Sequence, residues 1–215
     1  MIRLRPIHAA LLVLVGLAAA QSPSTKNLNL RGGRFKPLTY DEMTPAQKTM
    51  IDHLLSGERA GTNGPFNVLL RSPEMGDLAQ NLGAYLRYHS SLPRKLNEFA
   101  IVLTGRYWNA QYEFYAHRRL ALEAGLDAVI LDAIAAGQRP AKLSDDEATV
   151  YNFASELLGS GQVSDASYAR VKDRFGERGV MDLVGAVGYY SLVSMVLNVD
   201  RVPLPAGVEP PLKPL

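Results

Sequence analysis

Glu113-Phe114-Tyr115-Ala116-His117 places a carboxylate and an imidazole four residues apart. On a helix, side chains at i and i+4 are neighbours, about 5–6 Å apart at Cβ. The pair shares its side of the helix with Ala110, Phe114, Leu120, Ala121 and Ala124, a face expected to be buried. A buried carboxylate beside an imidazole suits proton transfer, for which packing alone has no use. A third ionisable group interrupts the apolar run Leu96-Asn97-Glu98-Phe99-Ala100-Ile101-Val102-Leu103. A carboxylate there is expected to be buried or on a pocket wall. If the helices carrying Glu98 and Glu113/His117 pack antiparallel, as their short connection implies, all three groups converge.

Other readings of these residues stay open. Glu98 is also placed to pair with Arg94 or Arg106, and Glu113/His117 also fits a surface pair or a satisfied core histidine. No metal site is expected, because a Glu/His pair falls short of the three or four ligands that metals usually take, and His53 and His89 lie in no metal-like spacing. Tyr107, Trp108, Tyr112, Phe114 and Tyr115 crowd the approach to the pair. They are either core or the walls of a pocket for a flat, unsaturated ligand. The candidate catalytic residues are therefore His117, Glu113 and Glu98. The candidate substrate-binding residues are Tyr107, Trp108 and Tyr112, with His89 and Asn67 as contributors from neighbouring segments. Arg118 and Arg119 point apart, and Arg119 with Glu123 reads as a surface pair.

The elements that must position these groups read as helices. Thr44-Pro45 opens one that ends at Ser56-Gly57, and Ser72-Pro73 caps and opens another reaching about His89. Between them, residues 57–67 read as a Gly-rich loop. Pro93 starts the helix of Glu98. Asn109 is expected to cap the helix of the pair, which stops at Gly125. Asp127 starts a short helix closed by Gly137. Ser144 and Glu147 have capping-box spacing. Ser164 opens a further helix, and Gly179 precedes the last, Val180–Asn198. Strand alternation is absent, so the fold class is all-α, a single domain of about eight helices. The last helix is apolar nearly all round. Asp182, Ser191, Ser194 and its modest length favour a buried central helix or an oligomer interface over a membrane span.

Composition sets the outer limits. The chain has 215 residues, 47% hydrophobic and 20% charged, enough for one domain with a core. Residues 1–20 have a basic start at Arg3 and Arg5, an apolar run and Ala18-Ala19-Ala20, the parts of a cleavable secretory signal peptide. The expected location is secreted or periplasmic, with no stable membrane span once the signal is cleaved. Removing Arg3 and Arg5 leaves 21 basic against 21 acidic residues, so the sequence pI of about 8.8 owes much to the leader. No basic run suggests nucleic acid as a partner. Residues 21–39 read as an extended N-terminal arm, loosely ordered or draped over a partner. Residues 40–202 form the helical domain, and the tail 203–215, with five prolines, is extended. The chain contains no cysteine, which rules out thiol redox chemistry and cysteine–zinc sites.

At Arg94–Gly125, and especially at Gln111-Tyr112-Glu113-Phe114, His117 and Ala121-Leu122-Glu123-Ala124-Gly125-Leu126, the chain resembles the carboxymuconolactone decarboxylase family, which shares its fold with the AhpD alkylhydroperoxidases. The resemblance runs from Gly64-Pro65-Phe66 to Leu204-Pro205. Phe175-Gly176-Glu177 and Gly188-Tyr189-Tyr190 look like its larger, cysteine-free branch. Against the peroxidase branch, Glu98 matches the glutamate and His117 the histidine, while Ala110 and Glu113 occupy the two cysteine positions. The proton-relay residues are kept and the redox residues are absent, so thiol peroxidase activity is excluded. In the decarboxylase branch, a Glu-Phe-x-x-His segment is similar to Glu113-Phe114…His117. The resemblance implies an all-helical AhpD-like bundle and a homo-oligomer, trimer or hexamer.

The expectation is an exported acid–base enzyme that needs no cofactor and resembles a lactone decarboxylase, acting on a small carboxylated lactone or unsaturated acid. His117 would donate the proton to the enolate-like charge left by carbon dioxide. Glu113 would orient it, and Glu98 would be a second relay group. Isomerisation, lactone hydrolysis and dehydration would use the same pair. The alternatives are a non-catalytic protein that binds small hydrophobic acids, and a structural role in which the pair serves only an oligomer interface.

Overall fold

Residues 28–59 and 61–213 are described by the computed structural model. The leader expected over residues 1–20 and the start of the arm at 21–27 lie outside the described residues. Among those described there are eight helices and no strand: α1 (Pro45–Ser56), α2 (Phe66–Leu69), α3 (Pro73–Tyr88), α4 (Arg94–Tyr107), α5 (Gln111–Glu123), α6 (Ala128–Ala135), α7 (Asp145–Ser160) and α8 (Asp165–Asp200). The fold is an all-α bundle.

Four of the eight helices, α1, α6, α7 and α8, start at a side chain that satisfies a free N–H group of the first turn. The Thr44 hydroxyl accepts from Gln47 N while the Gln47 side chain accepts from Thr44 N. Ser144 and Glu147 form the same reciprocal box. Asp127 accepts from Val129 N and Ser164 from Ser167 N. Each such cap is worth about 0.5–2 kcal/mol. Four local expectations need correction. Ser72 makes no side-chain cap bond. Asn109 does not cap α5; it turns the chain at φ 47°, a left-handed conformation that Asn tolerates, and its Oδ1 accepts from Arg106. The loop 57–67 gives way at Phe66 to the short α2. Finally, the bend between the two expected last helices falls at Gly176, not Gly179. Gly176 has φ 72° and ψ 176°, open to glycine and strained for other residues.

The central helix is α4, every residue of which from Leu96 to Arg106 is buried. It lies between two apolar clusters. Leu96, Phe99, Val102 and Leu103 pack with Phe114, Leu131, Phe153 and Leu183. Ile101, on another side, joins Met50, Ile51, Leu54, Phe66, Leu86 and Tyr190. This is the role expected of Val180–Asn198. The α8 helix belongs to both clusters but leaves Met181, Met195 and Val199 exposed. By length and composition α8 is apolar enough to cross a membrane; 56% of its most apolar stretch is buried against this chain's own helices.

Residues 28–39 of the arm dock on their own chain. The backbone N–H groups of Arg34 and Phe35 donate to Asp200 Oδ1 at 2.8 and 2.6 Å, and Gly33 does so at 3.3 Å. Asp200 is fully buried. The Pro-rich tail is pinned in the same way. Gln111 exchanges two hydrogen bonds with the Leu212 backbone, Arg106 donates to Lys213 O, and Leu212 fills a place in the core.

Candidate active site

The short turn between α4 and α5 folds the two helices against each other, and this brings Glu98, Glu113 and His117 together. Each is at least nine-tenths buried. His117 Nδ1 lies 2.7 Å from Glu98 Oε2, and His117 Nε2 lies 3.2 Å from Glu113 Oε1. Glu98 therefore does not pair with Arg94, which reaches Glu123, or with Arg106, which holds the tail. A carboxylate only accepts, so the Nδ1 contact puts a proton on Nδ1 and turns Nε2 toward Glu113. The edge of the Tyr190 ring packs on the imidazole, with centroids 4.9 Å apart, fixing its plane from the third side.

The two carboxylates are not equivalent. Glu98 makes a short, well-formed hydrogen bond. Glu113 is close enough to His117 for an ion pair, yet its alignment falls short of a hydrogen bond, and its Oε1 is buried with no hydrogen-bond partner. Burial pushes the Glu113 carboxyl above the ordinary carboxylate range; Glu98 adds to the rise, while His117, Arg59 and Arg87 oppose it. A carboxyl held in this way retains a proton at higher pH and is suited to donate it. The sequence reading assigned the orienting role to Glu113 and a relay role to Glu98. The geometry favours the reverse order: Glu98 orients the ring, His117 links the two acids, and Glu113 is the poorly solvated end.

Glu113 and His117 reach a cavity of about 180 Å³; Glu98 does not. The walls come from α5 (Tyr112, Ala116, Arg119, Leu120), α8 (Tyr189, Tyr190, Val193), Arg87 of α3, and Arg59, Asn63, Gly64 and Pro65 of the α1–α2 connection. The volume is small beside the roughly 300–1,000 Å³ of pockets for drug-sized ligands, so a ligand of few atoms fits. Burial also pushes the Tyr189 and Tyr190 hydroxyls up, Tyr190 well above the ordinary range, so both stay protonated donors.

Of the expected substrate-binding residues, only Tyr112 lines this cavity. Asn67 is fully buried away from it, with Nδ2 donating to Phe35 O, and ties α2 to the arm. His89 pairs with Glu58 at the surface, Nε2 to Oε2 2.8 Å. Tyr107 and Trp108 stack edge to face at the far end of α4, where Tyr107 borders a separate cavity with Tyr151 and Leu158. Helix order explains the displacement: four residues beyond Trp108, Tyr112 already lies on the next helix, at a different cavity from Tyr107. Arg59, Arg87, Tyr189 and Tyr190 were missed as site residues. Tyr189-Tyr190 did carry a signal, two hydroxyls in an otherwise apolar helix. Arg59 in a Gly-rich connection and Arg87 in a helix with a polar face carried none.

Among the described residues no group of three or more His, Cys, Asp or Glu side chains has an arrangement that could hold a metal ion. The two nitrogens of His117 face different carboxylates and so do not converge on one point with them. No protein-family model matches the chain, and no curated protein shows significant similarity to it.

Proposed function

We propose that this chain is an exported acid–base enzyme, requiring no cofactor and resembling the carboxymuconolactone decarboxylases, that moves a proton on a small carboxylated lactone or unsaturated acid. The observation that carries the reading is Glu113: a buried carboxyl, raised by desolvation, backed by His117 and open to a small cavity with tyrosine walls. In the donating direction, Glu113 protonates a carbon bearing enolate-like charge and is left as a carboxylate beside His117, which Glu98 holds in place; a proton from solvent in the cavity then restores the acid. In the accepting direction the same path runs backwards. This differs from the sequence expectation in which group meets the carbon and in which carboxylate orients the ring. A purely structural pair is a poorer account, because structural buried polar atoms are satisfied, whereas Glu113 Oε1 is not. The exposed Met75, Leu78 and Leu82 of α3 support a homo-oligomer as its working form.

The test is solvent-deuterium incorporation into a panel of small unsaturated acids and carboxylated lactones, followed by NMR. Wild type is expected to label one class at a specific carbon and Glu113→Gln to label none. A ligand that binds without label or product in either protein would instead favour a binding protein of the same fold.

A further inference from the structure

Two cations that line the cavity have no carboxylate partner among the described residues. Among the described residues, Arg59 lies over the Phe66 ring and its Nη2 is 3.4 Å from the Tyr189 hydroxyl. Arg87 lies over Tyr88. Neither forms an ion pair, and Arg59 Nε is buried with no hydrogen-bond partner. Both line the same cavity as Glu113, and both act on its carboxyl electrostatically.

Helix α3 is cut away to seat one of them. A Cβ on Gly83 would stand 2.1 Å from Arg59 Nη2 and 2.3 Å from the Tyr189 hydroxyl. Glycine within a helix costs about 1 kcal/mol relative to alanine, and here it makes room for the guanidinium. Half-buried arginines without counter-charges, beside protonated tyrosine hydroxyls, suit a carboxylate, which a guanidinium binds through paired N–H groups.

The position of that charge limits the chemistry. A carboxylate leaving as carbon dioxide gives up its negative charge to the carbon behind it. Two guanidiniums stabilise the charge before the reaction more than during it, and so slow the loss of the carboxylate they hold. We propose that Arg59 and Arg87 bind a carboxylate that the substrate keeps, so that proton transfer at Glu113 occurs at another carbon. This rests on the acid–base reading and adds its specificity. A substrate with one carboxylate then undergoes a proton shift. A C–H bond breaks to Glu113, its electron pair enters the conjugated enolate, and the proton returns at a different carbon. Loss of carbon dioxide needs a second carboxyl group away from the arginines. There the C–C bond breaks, its pair enters the enolate, and the Glu113 proton ends on carbon.

Benzoate and its uncharged isostere benzamide test the clamp by calorimetric titration of the full mature chain. Benzoate is expected to bind and benzamide not. Arg59→Gln and Arg87→Gln should each weaken benzoate by roughly 10–100-fold, the scale of a charge-assisted contact. Gly83→Ala, which keeps both charges and displaces Arg59, should weaken it in the same direction. Glu113→Gln should bind it at least as tightly as wild type. Equal binding in wild type and both arginine variants, or no saturable binding in wild type, overturns the clamp. With monocarboxylated unsaturated acids in deuterium oxide, exchange without carbon dioxide is expected, and carbon dioxide released as fast as exchange overturns retention. Loss of exchange alone, with arginine-dependent benzoate binding intact, counts against the acid–base reading and leaves the clamp standing.

Discussion

Replacing Glu113 by glutamine should make the protein more stable and abolish its proton chemistry. Glu113 is 3% exposed, and its Oε1 has no hydrogen-bond partner although His117 Nε2 is only 3.2 Å away. Leaving a buried acceptor unsatisfied costs about 1–3 kcal/mol. Glutamine has nearly the same shape, needs no counter-charge, and can place an amide N–H where Oε1 now faces the Nε2 lone pair. Allowing for imperfect alignment, the gain should be about 1–2 kcal/mol, or roughly 2–8 °C in Tm for a chain of this size.

The pH dependence makes the prediction specific. The Glu113 carboxyl has a folded pKa above its unfolded value of 4.5. Below that value both states carry the proton, and the protonated acid can itself donate to Nε2, so wild type and Glu113→Gln should melt together. As pH rises from 4.5 through the raised folded pKa, the unfolded chain loses the proton first, and wild-type stability falls relative to the variant. Thermal unfolding of both proteins between pH 4 and pH 8, with deuterium exchange on the same samples, is the assay. A variant less stable than wild type throughout, or a Tm difference that does not change with pH, would refute the assignment of Glu113 as the desolvated acid.

Four further outcomes are expected. His117→Ala should cost about 3–5 kcal/mol, because it strands the buried Glu98 carboxylate. Adding Glu98→Gln should recover part of that loss in a double-mutant cycle by chemical denaturation, while exchange activity stays absent. Tyr190→Phe removes a buried hydroxyl with no partner and should raise stability by about 1 kcal/mol, read as a higher urea midpoint at unchanged m. Asp200→Ala removes the acceptor of the Arg34 and Phe35 backbone N–H groups. It should cost about 2–4 kcal/mol and open residues 28–38 to limited proteolysis while α4 and α5 stay protected. Gly83→Ala should lower Tm, since a Cβ there would stand 2.3 Å from the hydroxyl and 2.5 Å from the ring of the buried Tyr189, and overpacking of this kind costs about 1–3 kcal/mol against a propensity gain of about 1 kcal/mol.

The parts of the site that were legible in the sequence are those fixed within one or two helices. Helical spacing alone made Glu113 and His117 neighbours, and the turn after Tyr107 is too short for α5 to do anything but fold back on α4 and bring Glu98 to the ring. Ser144, Asp127 and Ser164 announced their helices because a cap is a contact between residues two or three apart. The bend at Gly176 was harder to place, since α8 carries three other glycines nearby and only packing decides which of them breaks the helix. His89 and Asn67 failed for a different reason. His89 stands out because it ends a helix and Asn67 because it sits in a Gly-Pro loop, but the Glu58 carboxylate and the Phe35 carbonyl, contributed from far along the chain, claim them. Arg59 and Arg87 were invisible because a surface arginine and a pocket arginine have the same local sequence; what separates them is the gap at Gly83 and the missing counter-charge.

That division bears on how the site works. The proton path lies within α4 and α5, whose facing residues sit in tight packing on the central helix, so its distances are held by the core. The cationic wall comes from α3 and the α1–α2 connection, which meet the cavity through long, half-exposed side chains. A proton relay tolerates little displacement, since transfer needs heavy atoms within about 2.6–3.2 Å. A carboxylate clamp tolerates more, because a guanidinium on a flexible stem follows its ligand. Changes at Arg59 or Arg87 should therefore act mainly on which acid binds and how tightly, and changes at Glu98, Glu113 or His117 on whether a bound acid reacts. A family of acids differing only in length should show graded affinity across the arginine variants with exchange per bound molecule nearly constant. If exchange per bound acid instead falls in step with affinity, the arginines act on the reacting carbon itself, and the separation between clamp and relay is wrong.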